Sequence, residues 1–327
     1  MRVLSGIQPS GKLHLGNYFG AMRPQIELQA EHECFYFIAN YHALTSLTDP
    51  RAMAELTMEV AMGYLALGLD PKRTVFFRQS DVPEVTELAW ILNCVTPMAL
   101  LQRCHAYKDK VAQGLAPNTG LFTYPVLQAA DILIYRSRLV PVGQDQKQHV
   151  EVAQDIQGKF NQIYGDILVR PEPLIREEVA VVPGIDGRKM SKSYDNAIEL
   201  FVPDKEVRKN VMSIVTDSTP VEAPKDPGRC NVMALLRLFA DPAERAEWED
   251  RYRRGGTGYG EAKKRLFELF MERLGPARAR YDELNKNRDH VEEVLTEGGR
   301  RARAVAAEVM DDVRKATGIL TSRTGKA

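Results

Sequence analysis

Four short runs, "RVLSGI" (2–7), "CFYFIA" (34–39), "TVFFRQS" (74–80) and "LVPVG" (139–143), are mostly apolar and rich in β-branched or aromatic residues. Runs of this kind fit strands buried on both faces, because a strand with one wet face alternates apolar with polar residues. Between them lie "AELTMEVAMGYLALGL" (54–69) and "YPVLQAADILIY" (124–135), whose apolar residues recur at helical spacing. Strand, helix and strand in succession predict an α/β fold with a parallel sheet and right-handed crossovers. Ligands of such sheets sit at the carboxyl ends of the strands.

A chain of 327 residues, 44% hydrophobic and 27% charged, has apolar material for a real core and length for two domains. Lys plus Arg and Asp plus Glu both number 44, so a basic surface that meets nucleic acid has to be local. Cys34, Cys94, Cys104 and Cys230 form no CxxC pair and no zinc spacing, and read as reduced thiols of a cytoplasmic protein. No charged start leads into an apolar leader and no run of about 18 apolar residues occurs, which predicts neither secretion nor a membrane partner. Towards the end of the chain, residues 261–295 and 300–320 are rich in Ala, Glu, Leu, Lys and Arg at helical spacing. They predict an all-helical region, broken at Gly275-Pro276 and again at Gly298-Gly299.

The first predicted strand runs into "SGIQPSGKLHLGN" (5–17), a stretch that packs poorly. Gly11 and Gly16 admit close approach of a ligand, Ser10 is the expected helix cap, and the exposed N–H groups of the helix start favour an anion. Lys12, His14 and Asn17 add donors, although a plain capped turn has the same spacing. Far along the chain, "PGIDGRKMSKSYDN" (183–196) presents Lys189, Ser191, Lys192 and Ser193 after a Pro-Gly turn. Two lysines three apart with interleaved hydroxyls suit a polyphosphate, lysine acting as a mobile point charge; a solvated basic loop is the other reading.

Together, "HLGN" and "KMSKS" resemble the paired signatures of the class I aminoacyl-tRNA synthetases. Asn17 stands where the usual His-x-Gly-His form has its second histidine, so an uncharged amide replaces an imidazole. The stretch "SGIQPSGKLHLGNYFGA" (5–21) is similar to the tryptophanyl branch in particular. So are "HALT" (42–45), "YKDK" (107–110), "GLFTYPVLQAADIL" (120–133) and "VPVGQDQKQHVE" (140–151). Asn40 departs from relatives that often carry aspartate ahead of the Tyr-His pair. The tyrosyl branch is the near competitor, but its members usually show Gly-Gly before the acid-Gln pair and an arginine soon after it.

The resemblance implies a Rossmann-type parallel-sheet catalytic domain over 1–188. A second, helical domain over 189–327 would begin with the signature loop, carry the anticodon site and pack its last helix back on the first domain. It implies that ATP and L-tryptophan give tryptophanyl adenylate and pyrophosphate, with Mg2+ on the phosphates, and that tryptophan then passes to the 3′ end of tRNA(Trp). The attacking carboxylate is already ionised, so no general base is needed, and positioning with charge stabilisation carries the reaction.

His14, Lys110, Lys189 and Lys192 are the implied catalytic set. By the same resemblance Gln8, Pro9, Ser10, Gly16 and Asn17 lie around ATP. Gly143, Gln144 and Asp145 lie near its ribose and Val182 against the adenine, with Met190, Ser191 and Ser193 completing the loop. Asp131 would accept the indole N–H, with Tyr124, Gln128 and His42 around the ring and Gln146 near the ammonium. On residue type alone, a structural pair of Asp131 with an arginine such as Arg103 is the favoured reading, and the resemblance reverses that preference. The family works as a homodimer, for which "LAWILNCVTPMALLQR" (88–103) is the candidate contact; buried core is the other reading of its apolar residues.

Two rival functions share parts of this pattern. An adenylyl-transfer enzyme of the pantothenate-activating or nicotinate-mononucleotide type carries a similar first turn, but no KMSKS loop followed by a long helical region. A synthetase-like protein without its chemistry would not be expected to keep the lysines and glycines of both signatures.

Overall fold

A computed structural model of the chain describes residues 1–104, 118–143, 147–175 and 182–319. Strands β1 (Arg2–Ile7), β2 (Glu33–Ile38), β3 (Thr74–Arg78), β4 (Leu139–Val142) and β5 (Glu172–Ile175) form one sheet in the order β3-β2-β1-β4-β5. Every pairing is parallel. Along β2, Cys34, Tyr36 and Ile38 join one core cluster, while Phe35 and Phe37 join the other. The two-residue repeat therefore buries both faces, and this is why the strand reads as an unbroken apolar run. The chain leaves β1 towards β2 on one side and returns to β4 on the other, so the switch point lies between the carboxyl ends of β1 and β4.

β1 to β4 lie within a residue or two of the predicted runs. β5 is the exception, four residues at the sheet edge with Pro173 inside, too short for a periodic signal and tolerated because an edge strand can spare a donor. No helix among the described residues is long and apolar enough to cross a membrane.

Both predicted helix breaks are absent. The helix Tyr259–Lys286 continues through Pro276, which is exposed, so the carbonyl that loses its donor faces water while Phe270, Leu274 and Leu284 hold both halves on the core. The helix Arg288–Thr317 runs unbroken through Gly298 and Gly299. A Cβ built on Gly298 would overlap the Phe76 backbone carbonyl, and one on Gly299 would lie 2.7 Å from Asp81 Cβ. These glycines are there for contact, letting the last helix lie against edge strand β3 and cover it. Gly298→Ala is expected to destabilise the fold by roughly 2–3 kcal/mol, since backbone cannot yield as a side chain does; a denaturant midpoint at the wild-type value would contradict this.

Arginines of the helical region are engaged in the fold. Arg301 donates to the Pro71 carbonyl (2.8 Å), Arg303 pairs with Glu84 (2.7 Å) and Arg300 with Glu297 (2.7 Å). Arg278 donates to the carbonyls of Leu200 and Val202 and pairs with Asp204 (2.7 Å).

Candidate active site

The loop after β1 and the KMSKS loop meet at the switch-point crevice. His14, rather than Ser10, caps the short helix Leu15–Asn17. The Asn17 N–H donates to His14 Nδ1 (3.4 Å) and the His14 N–H donates to Asn17 Oδ1 (3.0 Å), so the asparagine amide closes a reciprocal cap. Ser10 is exposed, its N–H turned back to the Gln8 carbonyl (2.9 Å); a helix that starts at Leu15 leaves it out of reach. Gln8 is exposed and Pro9 buried beside it.

Strand-like contacts join the two signatures. Leu15 N–H donates to the Ile198 carbonyl (3.0 Å) and Leu200 N–H to the Leu13 carbonyl (2.9 Å). Gly16 N–H points at Met190 Sδ (3.3 Å), and Met190 N–H donates to the Val182 carbonyl (2.9 Å). Gly16 has no side chain because a Cβ would fall 2.9 Å from the His14 ring. Lys189 bridges back to Pro183, and the Ser191 side chain caps the turn Lys192–Tyr194 by accepting from Ser193 N–H (3.3 Å). Asn196, buried and not anticipated from sequence, braces the loop by accepting from Ser191 N–H (2.8 Å) and donating to Asp186 (2.7 Å) and the Lys189 carbonyl (3.2 Å).

Lys192 crosses to the first loop, where a Cβ on Gly11, at φ +133°, would stand 2.5 Å from Nζ. Burial holds the Lys192 ammonium down to about 8, with Lys12 adding to the drop and Glu199 and Glu59 opposing it. Burial, then the Lys192 charge, lowers His14 to about 4, so its imidazole is neutral at physiological pH. A neutral ring and a poised cation set the pH behaviour. Because the protonated lysine is the phosphate-binding form, kcat/KM for ATP is expected to fall as pH rises through about 8, with no inflection from His14 above about 5. A flat profile up to pH 9 would remove the Lys192 charge from stabilisation of the transition state.

The second group of predicted residues surrounds Asp131 on the helix Thr119–Ile134. Tyr124, Gln128 and Asp131 follow each other by four and three residues and share one face. Asp131 is 2% exposed and meets His42 Nε2 at 2.8 Å, not Arg103. Gln79 at the end of β3, which the sequence reading missed, donates to both Asp131 oxygens (2.8 and 2.9 Å). His42 and Gln79 stand where an arginine was the alternative, and burial raises the Asp131 pKa while their hydrogen bonds lower it. Arg103 is exposed at the end of the short helix Met98–Gln102 and makes no such pair among the described residues.

Tyr124 pairs through its hydroxyl with His149 Nε2 (3.0 Å), and burial lifts the phenol to about 12. Asn40 donates to Ser80 Oγ (2.8 Å) and accepts from Ser80 N–H (3.1 Å); this use of both amide functions locks the short helix Asn40–Ala43 to the turn Gln79–Asp81. Gly143 directly follows β4 at the crevice. Lys110, Gln144, Asp145 and Gln146 lie outside the described residues.

A five-stranded switch-point sheet with both signatures across one crevice matches a known class. The family model for tRNA synthetases class I (W and Y) matches residues 1–275. A tryptophan–tRNA ligase of Rhodopirellula baltica is 53% identical over 319 residues, 98% of this chain and 100% of the relative. One of Fusobacterium nucleatum is 52% identical over 320 residues, 98% of each chain. Among solved structures, tryptophanyl-tRNA synthetase of Campylobacter jejuni complexed with ADP and tryptophan has a TM-score of 0.92 and 50% identity, covering 97% of this chain and 100% of that one. The chain belongs to the class I aminoacyl-tRNA synthetases of the tryptophanyl and tyrosyl family. Within that family it groups with the tryptophan–tRNA ligases.

Proposed function

We propose that the chain activates L-tryptophan with ATP and transfers it to tRNA(Trp), acting in the cytoplasm. The observation that carries this reading is the meeting of Lys192 with the glycine-rich first loop, in a chain that also buries Asp131 against His42 and Gln79. The tryptophan carboxylate attacks the α-phosphorus of ATP, the bond to the bridging oxygen breaks, and pyrophosphate leaves. Lys192, which reaches the glycine-rich first loop, acts with Lys189 on the charge that builds on the leaving group. The ribose hydroxyl at the tRNA 3′ end then attacks the adenylate carbonyl and releases AMP. Mg2+ is expected to arrive on the phosphates, since the described residues hold no group of three or more His, Cys, Asp or Glu able to bind a metal.

Residues 1–188 act in this reading as the catalytic domain and 189–327 as the signature loop and anticodon-meeting domain. Pyrophosphate exchange measured with each of the twenty amino acids tests the whole reading. Tryptophan is expected to be the preferred substrate; a preference for tyrosine sinks the branch assignment, and no exchange with any amino acid sinks the chemistry.

A homodimer belongs to the same reading. The segment 88–103 buries Leu88, Leu92 and Leu101 but leaves Trp90 71% and Met98 62% exposed, with Cys94 exposed between them. Exposed apolar side chains on this segment suit a two-fold contact. Light scattering is expected to give a dimer at micromolar concentration, converted to monomer by Trp90→Glu; a wild-type monomer removes the proposal.

A further inference from the structure

We infer that Gln79 is a specificity-determining positioning residue, which holds Asp131 so that a substrate ring N–H meets its Oδ1 atom. The inference rests on the reading of Asp131 as the tryptophan acceptor. Gln79 is 1% exposed, and its amide nitrogen lies 2.8 Å from Oδ1 and 2.9 Å from Oδ2 of Asp131. His42 Nε2 adds a second contact at 2.8 Å, to Oδ2. The carboxylate plane is thereby fixed, with Oδ2 served twice and Oδ1 once among the described residues, so Oδ1 keeps the greater acceptor capacity.

An amide nitrogen donates and never accepts. Facing both oxygens, it favours the ionised carboxylate that burial disfavours, and an ionised carboxylate selects for a donor on the substrate. The same side chain accepts through Oε1 from the N–H groups of Tyr41 (3.0 Å) and His42 (3.4 Å), so Gln79 also sets where His42 starts.

Gln79 is itself held from outside the pocket. It opens the turn Gln79–Asp81, where Asp81 accepts from Arg78 N–H (3.2 Å) and from the Arg78 guanidinium (3.0 Å). Arg78 Nη1 in turn pairs with Glu292 of the last helix (2.6 Å), and Gly299 of that helix lies against Asp81. The turn cannot swing without moving the last helix, and the amide is presented from a fixed frame.

Pyrophosphate exchange with tryptophan and with phenylalanine tests the role. Gln79→Met, which keeps the length and removes both polar functions, is expected to raise KM for tryptophan roughly ten- to a hundredfold. KM for ATP is expected to stay unchanged, and the preference for tryptophan over phenylalanine to shrink by a similar factor. Introduced into Asp131→Ala, the same substitution is expected to have no further effect on that preference, because it acts through the carboxylate. Should Gln79→Met fail to fold, Gln79→Leu removes the same polar functions in a smaller side chain, and the same loss of preference is expected. A folded variant of either kind with the wild-type preference overturns the inference. So does an equal effect of Gln79→Met with and without Asp131. Failure of the wild-type chain to prefer tryptophan would instead overturn the underlying reading, and the two results are separable.

Discussion

Lys192→Ala is expected to lower the adenylation rate at saturating ATP by two to three orders of magnitude, about 3–4 kcal/mol, the scale of one lost charge-stabilising donor. ATP affinity should change much less. The ammonium rests against Gly11 of the first loop, within reach of the charges of Glu199 and Glu59. In the ground state those carboxylates already answer part of its charge, so little binding energy is gained from ATP alone. As the α–β bond breaks, charge builds on pyrophosphate and the lysine meets it at full strength. Lys192→Arg keeps the charge but offers a planar fork where a mobile point charge is needed, and recovery is expected to be partial. Single-turnover kinetics separate rate from binding. A variant that loses ATP affinity but keeps its saturated rate would show that the loop holds only the ground state.

Asp131→Ala is expected to cost roughly 2–4 kcal/mol in kcat/KM for tryptophan and to narrow its advantage over phenylalanine. The effect is large because removing the side chain takes away the proposed acceptor for the indole N–H and strands Gln79 Nε2 and His42 Nε2 in a buried site. Sites built around a substrate hydrogen bond reject analogues that lack it by up to about 10⁴–10⁵. Phenylalanine makes no such bond, so its own exchange rate should change little. Asp131→Asn is a sharper probe, because the amide turns a donor on the partners or on the indole and cannot satisfy all three. Tryptophan and phenylalanine losing activity in equal measure would assign Asp131 to the fold instead of to selection.

What the sequence determined by itself was local and periodic. Strands β1 to β4 were legible as apolar runs, β1 to β3 because each is buried on both faces, and the two signature loops through their resemblance to paired family signatures, since the same glycines and lysines also fit a capped turn and a solvated loop. Asp131 was legible as a charge interrupting an apolar helix. Tertiary structure decided who answers that charge. Gln79 and His42 come from the carboxyl ends of β3 and β2, and the parallel pairing of those strands sets them side by side, a relation that no spacing in the sequence encodes. It likewise decided that His14 caps the first helix and that Asn196 braces the KMSKS loop. Gly298-Gly299 and Gly275-Pro276 misled for one physical reason. Local propensity counts a glycine or proline as a helix break, whereas a long helix packed on the core on both sides of the position, and in the last helix pressed against β3 as well, gains more from that packing than the positions cost.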